Sequence, residues 1–197
     1  MMQLETYTVG SYTCGASFLQ QAAWHFLGTP LLRSYLIPFS SFKVLLLRFF
    51  GAKIGQGVRI KPGVKIKFPW RLIVGDYVWI GEDSWIDNLA NVTIESNVCI
   101  SQGVYLCTGN HDWIQADFAL KTEPIYIESS SWLAAKCIVG PGVRLGKGAI
   151  LTLGGVAVKS LEPMTIYAGN PAQAIKIRKH PNKSTSISHS CSNPIDR

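Results

Sequence analysis

"IGQGVRIKPGVKI", residues 54–66, repeats itself every six residues. An aliphatic side chain stands at Ile54, Ile60 and Ile66, and a valine follows the first two of these four places later, at Val58 and Val64. Six suits neither the 3.6-residue period of a helix face nor the two-residue alternation of a strand. It does suit a short strand plus a turn. The series continues at Val74, Ile80 and Ile86, then Ile94, Ile100 and Leu106, then Ile127, Leu133, Val139, Leu145 and Leu151, giving fourteen hexads. The residue after the aliphatic is Gly, Ala, Glu or Asp in nine of them, and the fifth residue is Val, Ala or Ser in ten. The aliphatics define the frame, so the agreement at these other two positions is what establishes the repeat. Three units close a triangular coil, and successive coils stack at the spacing of neighbouring strands in a sheet. The large aliphatic fills the prism, the small fifth residue points inward near a corner, and Gly, Asn and Asp occupy turns that need unusual backbone angles.

The interruptions follow the same geometry. Leu72 and Ile73 are extra after the third hexad, Val92 and Thr93 after the sixth, and residues 112–126 form an excursion after the ninth. Each comes after three hexads, so all leave from one corner. His111 is the last residue before the excursion. It stands at the base of a projecting loop on a rigid scaffold, where binding and catalytic residues tend to sit.

Around this centre, residues 1–50 read as a helical and loop cap, 54–158 as the solenoid with its projecting loop 112–126, 160–179 as a C-terminal extension and 180–197 as a polar, disordered tail. The chain has 197 residues, 47% of them hydrophobic, and a net charge of +7. That charge favours an anionic partner. It is not gathered into a nucleic-acid stripe, and no helix-turn-helix, zinc-knuckle or RNP pattern is present, so nucleic acid is not expected. Five scattered cysteines without a C-x-x-C pair read as free thiols in a reducing compartment. The start "MMQLETYTVG" lacks a basic n-region, and the apolar stretches at 16–32 and 42–51 are short for a membrane span. The expectation is a cytoplasmic protein, with the inner face of the membrane as a variant and any membrane contact peripheral.

In its hexads and their flanking motifs the chain resembles the hexapeptide-repeat acyltransferases. "TGNH" (108–111) is similar to the catalytic-histidine motif of the galactoside, maltose and xenobiotic acetyltransferases. "SSWLAAKCIVGPGVRLGKGAILTLGGVAVKSLEP" followed by "AGNPAQAIKIR" is similar to their C-terminal signature. "LLRFFGAKIG", "FPWRLIVGDYVWIGE" and "IDNLANVTIESNVCISQGVYLCTGNHD" look like the colanic-acid-type (WcaF-like) exopolysaccharide acetyltransferases, over roughly residues 42–178. The resemblance implies an all-β fold, a left-handed parallel β-helix, with an N-terminal helical cap and a short C-terminal extension. It implies transfer of acetyl from acetyl-CoA to a sugar hydroxyl, without a metal. It also implies a homotrimer with active sites between subunits and a saccharide acceptor, lipid-linked or free. Two departures stand out: the family's "IGAGS" reads "LTLGG" (151–155), and the glycine after its Trp-Ile pair reads Ala134.

The resemblance makes His111 the general base. A sugar hydroxyl is a poor nucleophile until its proton leaves, and an imidazole, which ordinarily titrates at about 6.5, can take that proton at cellular pH. The other ring nitrogen needs a backbone carbonyl or a carboxylate to fix the tautomer. Asp87, one coil earlier near the same corner, and Asp112 are candidates. Asn88 matches an asparagine that bonds the acceptor or the histidine's surroundings, although a plain turn residue would read the same way. Trp132 matches the wall of the donor tunnel. Ala134 and Ala135, with Leu153 and Gly154 one coil later, match the contacts of the pantetheine arm. Lys176 and Arg178 match the basic end of the signature and suit the donor's phosphates. Trp113, Phe118 and Lys121 in the excursion are candidates for acceptor contact. Three other readings stay open. A γ-class carbonic anhydrase needs three histidines on zinc, and only His111 lies in the prism. An inactive scaffold of a glycan-synthesis complex would find its support in "LTLGG". A lipid A acyltransferase would use long acyl chains on a carrier protein.

Overall fold

The computed structural model describes residues 2–179; the expected tail at 180–197 lies outside the described residues. The hexads form a prism of three parallel faces. The first face stacks Lys53–Ile54, Leu72–Val74, Val92–Ile94, Ile125–Ile127 and Arg144–Leu145. The second stacks Arg59–Ile60, Trp79–Ile80, Cys99–Ile100, Trp132–Leu133, Ile150–Leu151 and Thr165–Ala168, and the antiparallel strand Gln173–Ile177 borders it. The third stacks Lys65–Ile66, Trp85–Asp87, Tyr105–Cys107, Ile138–Val139 and Val156–Ala157. Each hexad aliphatic sits in register on its counterpart in the coil below, as in the ladder Ile60, Ile80, Ile100, Leu133, Leu151. These side chains are buried, and so are the fifth-position residues Val78, Ser84, Val98, Val104, Ser131, Val143 and Ala149.

The corners obey a second rule that composition does not announce. The residue three places after the aliphatic has positive φ at Gly57, Gly63, Tyr77, Asp83, Asn97, Gly103, Ser130, Lys136, Gly142, Gly148, Gly154 and Met164. A left-handed residue costs an L side chain about 1 kcal/mol or more, yet Tyr, Lys and Met accept it here because the stacked ladders on both sides dictate the turn. Three corners have no left-handed residue: those after Ile66, Ile86 and Leu106. They lie one above another between the third and first faces, and they are the corners that carry the insertions.

The cap comprises α1 (Phe18–Ala23), which continues through one π turn (Trp24–Gly28) into α2 (Thr29–Arg33), and α3 (Ser40–Phe49). The Ser17 side chain accepts from the Gln20 N–H and starts α1. Trp24 is buried over the open end of the prism and donates its indole N–H to the Ile66 carbonyl at 3.1 Å. Gly28 lies so close beneath that ring that a Cβ would come within 2.1 Å of it. Lys43 is fully buried under α3, with Nζ donating to the Ser34 and Lys61 carbonyls at 3.4 Å each.

Residues 2–15 do not join this cap. They run along the prism to the excursion: Gln3 N–H donates to Ala116 O at 2.8 Å, Trp70 donates to Cys14 O at 2.7 Å, and Arg71 donates to Thr13 O. This strap carries no hydrophobic period, because it is held through its backbone groups, by the excursion at one end and by Trp70 and Arg71 of the prism at the other.

Candidate active site

The projecting element is a two-stranded hairpin that begins before the expected bounds of 112–126, with Gly109–His111 antiparallel to Leu120–Thr122 and His111, within it, opposite Leu120, while Ile125 and Tyr126 already belong to the first face. Its base is closed where Glu123 N–H donates to Thr108 O at 3.0 Å. Thr108 is itself buried; its hydroxyl donates to Asp87 O and accepts from Ala90 N–H, each at 2.9 Å. The prism therefore grips the hairpin one residue outside the strand that ends in His111.

The imidazole is held on several sides. Its Nδ1 lies 2.9 Å from the carbonyl oxygen of Phe118. A carbonyl only accepts, so Nδ1 must carry the proton in that bond, and the lone pair of the neutral ring is left on Nε2. The Phe118 ring stacks on the imidazole with centroids 4.3 Å apart and planes 3° from parallel. Tyr7 from the strap approaches at 5.8 Å, tilted. Phe118 has φ of +48°, an uncommon conformation for a bulky residue, and in that conformation it offers His111 both its carbonyl and its ring. Strained residues held in place by their surroundings cluster at functional sites.

Of the two partners named for the tautomer, the structure supplies a carbonyl. Asp87 faces elsewhere: the Tyr105 hydroxyl donates to its Oδ2 at 3.2 Å, and Lys67 Nζ lies 3.1 Å from Oδ1 without hydrogen-bond alignment. Burial pushes the Tyr105 phenol well above its ordinary range, so it stays a donor to Asp87. Asp112 pairs with Lys121 at 2.8 Å and accepts from Ile114 N–H at 3.1 Å; the Lys121 contact first, and that N–H second, hold its carboxyl below the usual range. Lys121 is thereby engaged within the loop, while Trp113 projects from it, largely exposed.

Asn88 is fully buried with both ends occupied. Its Oδ1 accepts from Phe68 N–H at 2.9 Å and its Nδ2 donates to Phe68 O at 2.7 Å. The side chain fills in for a strand neighbour where the chain makes its first two-residue insertion. An orphaned buried peptide group costs about 1–3 kcal/mol, so Asn88→Ala is expected to lower unfolding stability by about 2 kcal/mol in a denaturant titration. Unchanged stability with lost activity would make Asn88 an acceptor contact instead.

The donor candidates lie on the second face. Trp132, Ile150, Ile166 and Lys176 form one outward column, strand by strand. Three strand spacings separate its ends, roughly 14 Å. Trp132 is half-exposed, and its indole N–H donates to Ser101 Oγ at 3.0 Å. Ala134 is buried, with its N–H on Leu151 O, while the Ala135 carbonyl accepts from Gly154 N–H at 3.0 Å. Leu153 sits on a turn tip with its side chain in solvent, and a Cβ on Gly154 would meet nothing within 4 Å. Within "LTLGG", Leu153 and Gly154 thus fall on an exposed corner, whereas Leu151 belongs to the buried ladder and Gly155 packs against it. Arg178 donates to the Ser130 and Gly148 carbonyls at 2.8 and 3.0 Å, which ties the last strand to the prism. Lys176 is exposed, and among the described residues it forms no ion pair.

A cavity of about 660 Å³ lies between α1 and the third face, away from His111. The hairpin borders a second one of about 520 Å³, lined by Tyr12, Thr13, Arg71, Leu120 and Thr122 among others. We take the smaller one as the site's cleft because its wall includes the strand opposite His111. Burial pushes the Tyr12 phenol up to about 12 against the opposing pull of Arg71, and its hydroxyl has no hydrogen-bond partner among the described residues. Nothing in the sequence singled out Tyr12 or Tyr7, since both belong to the unpatterned strap. Among the described residues, no three His, Cys, Asp or Glu side chains gather as metal ligands.

No family model matches the chain. Over 136 residues it is 43% identical to WcaF of Escherichia coli K12, a protein assigned to colanic acid biosynthesis as an acetyltransferase; the match covers 69% of this chain and 75% of WcaF. It is 25% identical over 134 residues to the galactoside O-acetyltransferase of the same organism, covering 66% of each. Among solved structures, a hexapeptide-repeat acetyltransferase of Vibrio cholerae complexed with acetyl coenzyme A superposes with a TM-score of 0.77 at 21% identity, over 91% of this chain and 100% of that one. A galactoside acetyltransferase in complex with coenzyme A gives 0.74 at 20% identity, over 85% and 86%. At those identities the structural likeness is one of fold.

Proposed function

This chain belongs to the WcaF-like hexapeptide-repeat acetyltransferases, and on that premise we propose that it moves acetyl from acetyl-CoA to a saccharide hydroxyl in exopolysaccharide synthesis, with His111 as general base. The observation that carries the reading is the Phe118 carbonyl on His111 Nδ1, which leaves Nε2 as the basic nitrogen. The hydroxyl oxygen attacks the thioester carbonyl as its proton passes to Nε2. The tetrahedral oxyanion then collapses, the carbon–sulfur bond breaks, and the imidazolium returns the proton to the departing CoA sulfur. No covalent enzyme intermediate is required.

The donor lies, in this reading, along the column from Trp132 to Lys176, with the thioester toward the tryptophan and the phosphates toward the lysine. Ala134 and Ala135 leave room for the pantetheine arm, and the turn at Leu153 and Gly154 borders it. Lys176 is free for a phosphate, whereas Arg178 is engaged in holding its strand. The polar cleft beside the hairpin suits a saccharide, with Arg71 on its wall as a donor. A homotrimer, a cytoplasmic location and a lipid-linked acceptor belong to the same reading by family. Among the described residues no helix is long and apolar enough to cross a membrane.

Calorimetric titration with acetyl-CoA tests the donor half without needing the acceptor. Saturable binding is expected, weakened about tenfold by Lys176→Ala, the worth of one charge-assisted phosphate contact. Absence of binding at millimolar donor would overturn the transferase reading in favour of a scaffold or another acyl donor.

A further inference from the structure

We propose that the helical cap, residues 18–49, is a docking face for an anionic lipid bilayer. The inference stands on the cap alone and does not depend on the donor or the acceptor. α3 is apolar on two sides. Val44, Leu47 and the following Phe50 are buried against the prism. On the other side Phe42, Leu45 and Phe49, spaced three and four residues apart, form a second stripe in solvent. The preceding helical stretch does the same: Trp24 and Leu32 face inward, while Phe18, Leu19, Phe26 and Leu27 face outward. Leu36 and Phe39 in the connection between them are also exposed, Leu36 by 92%. Scattered exposed apolar residues need no explanation, but a contiguous set of large ones marks an interaction site.

Charge selects the occupant. Residues 6–75 contain nine Lys and Arg and no Asp or Glu, whereas the remaining ten bases are set against twelve acids. The chain's positive charge is therefore concentrated on the cap and first coil. Arg33 ends α2, and Lys61 lies against α3, its carbonyl bonded to Lys43 Nζ. Asp83 of the second coil reaches the cap beside Arg33, where it accepts from the Tyr35 hydroxyl at 2.7 Å, but the cap and first coil themselves contribute bases and no acid. Apolar side chains flanked by such an excess of bases are the signature of a surface that enters the interface of an anionic membrane. A second copy of the cap would set like charges face to face. The 660 Å³ cavity opens beside the same face. Phe18, Phe26 and Trp85 line it, with Arg33, Lys65 and Lys67 around them. Its apolar lining and basic flank match the two ends of an anionic phospholipid.

Vesicle flotation of the full chain tests the proposal. Binding is expected to vesicles of three parts phosphatidylglycerol to seven parts phosphatidylcholine, to fall steeply with added salt, and to be weak on phosphatidylcholine alone. The double variant Leu45→Glu/Phe49→Glu changes only side chains that already face solvent, and is expected to lower the partition coefficient by at least about tenfold. Unaltered circular dichroism of the variant verifies its fold. Equal flotation of the variant, or no binding of the parent to anionic vesicles, overturns the proposal. So does a change in oligomeric mass in the variant by light scattering, which would make the stripe a subunit contact.

Discussion

His111→Ala is expected to lower acetyl transfer by about 10²- to 10⁴-fold, the usual contribution of a positioned general base. Acetyl-CoA affinity should remain that of the parent. The split follows from the geometry. The imidazole belongs to the hairpin and is fixed by Phe118 and Tyr7, whereas the column proposed for the donor lies on the second face of the prism. Removing the ring removes the acceptor for the hydroxyl proton without touching Trp132 or Lys176. The measurement is a steady-state rate with a saccharide acceptor beside a donor titration on the same preparation. Transfer within about tenfold of the parent would remove His111 from the chemistry. Loss of donor affinity instead would mean that His111 contacts the donor.

Ile100→Ala is expected to destabilise the protein by about 2–5 kcal/mol, the range for deleting most of a buried aliphatic side chain. Ile100 is 1% exposed and lies in the ladder between Ile80 and Leu133, so the cavity would weaken the interfaces with both neighbouring coils. In a solenoid each coil touches only the next, so a central defect loses two interfaces and a terminal one loses one. Ile54→Ala, in the first coil and already 9% exposed, should therefore cost less. Equilibrium urea unfolding of the two variants measures the difference. An equal loss would mean that stability is not distributed coil by coil.

The prism was readable in the sequence because its cause is periodic. Every hexad aliphatic meets the same inward column, so the same side-chain volume recurs at the same interval. The shared corner of the insertions was readable for the same reason. The conformations of the corners were only half readable. Gly57 and Asn97 advertise a left-handed turn, but Tyr77, Lys136 and Met164 adopt it under pressure from the ladders above and below. The surroundings of His111 were readable as far as the need for a carbonyl or a carboxylate on one ring nitrogen. The partner's identity was not, because a backbone carbonyl carries no residue signature and this one depends on the φ of Phe118. Asn88 illustrates a converse limit. An asparagine at a corner reads alike whether it bonds a substrate or, as here, the peptide groups of Phe68. The strap was invisible because it is held by backbone groups and a few polar side chains.

The corner without left-handed residues divides the labour of the molecule. Elsewhere each rung leaves no slack, and one added residue would throw every later side chain out of register. At this one edge the chain already tolerates two extra residues twice and a whole hairpin once, and the hairpin is sealed at its foot by the bond between Glu123 and Thr108. Length and composition beyond that seal can drift without disturbing the ladders. The surface beside His111 can thus be rebuilt without disturbing the scaffold that carries it.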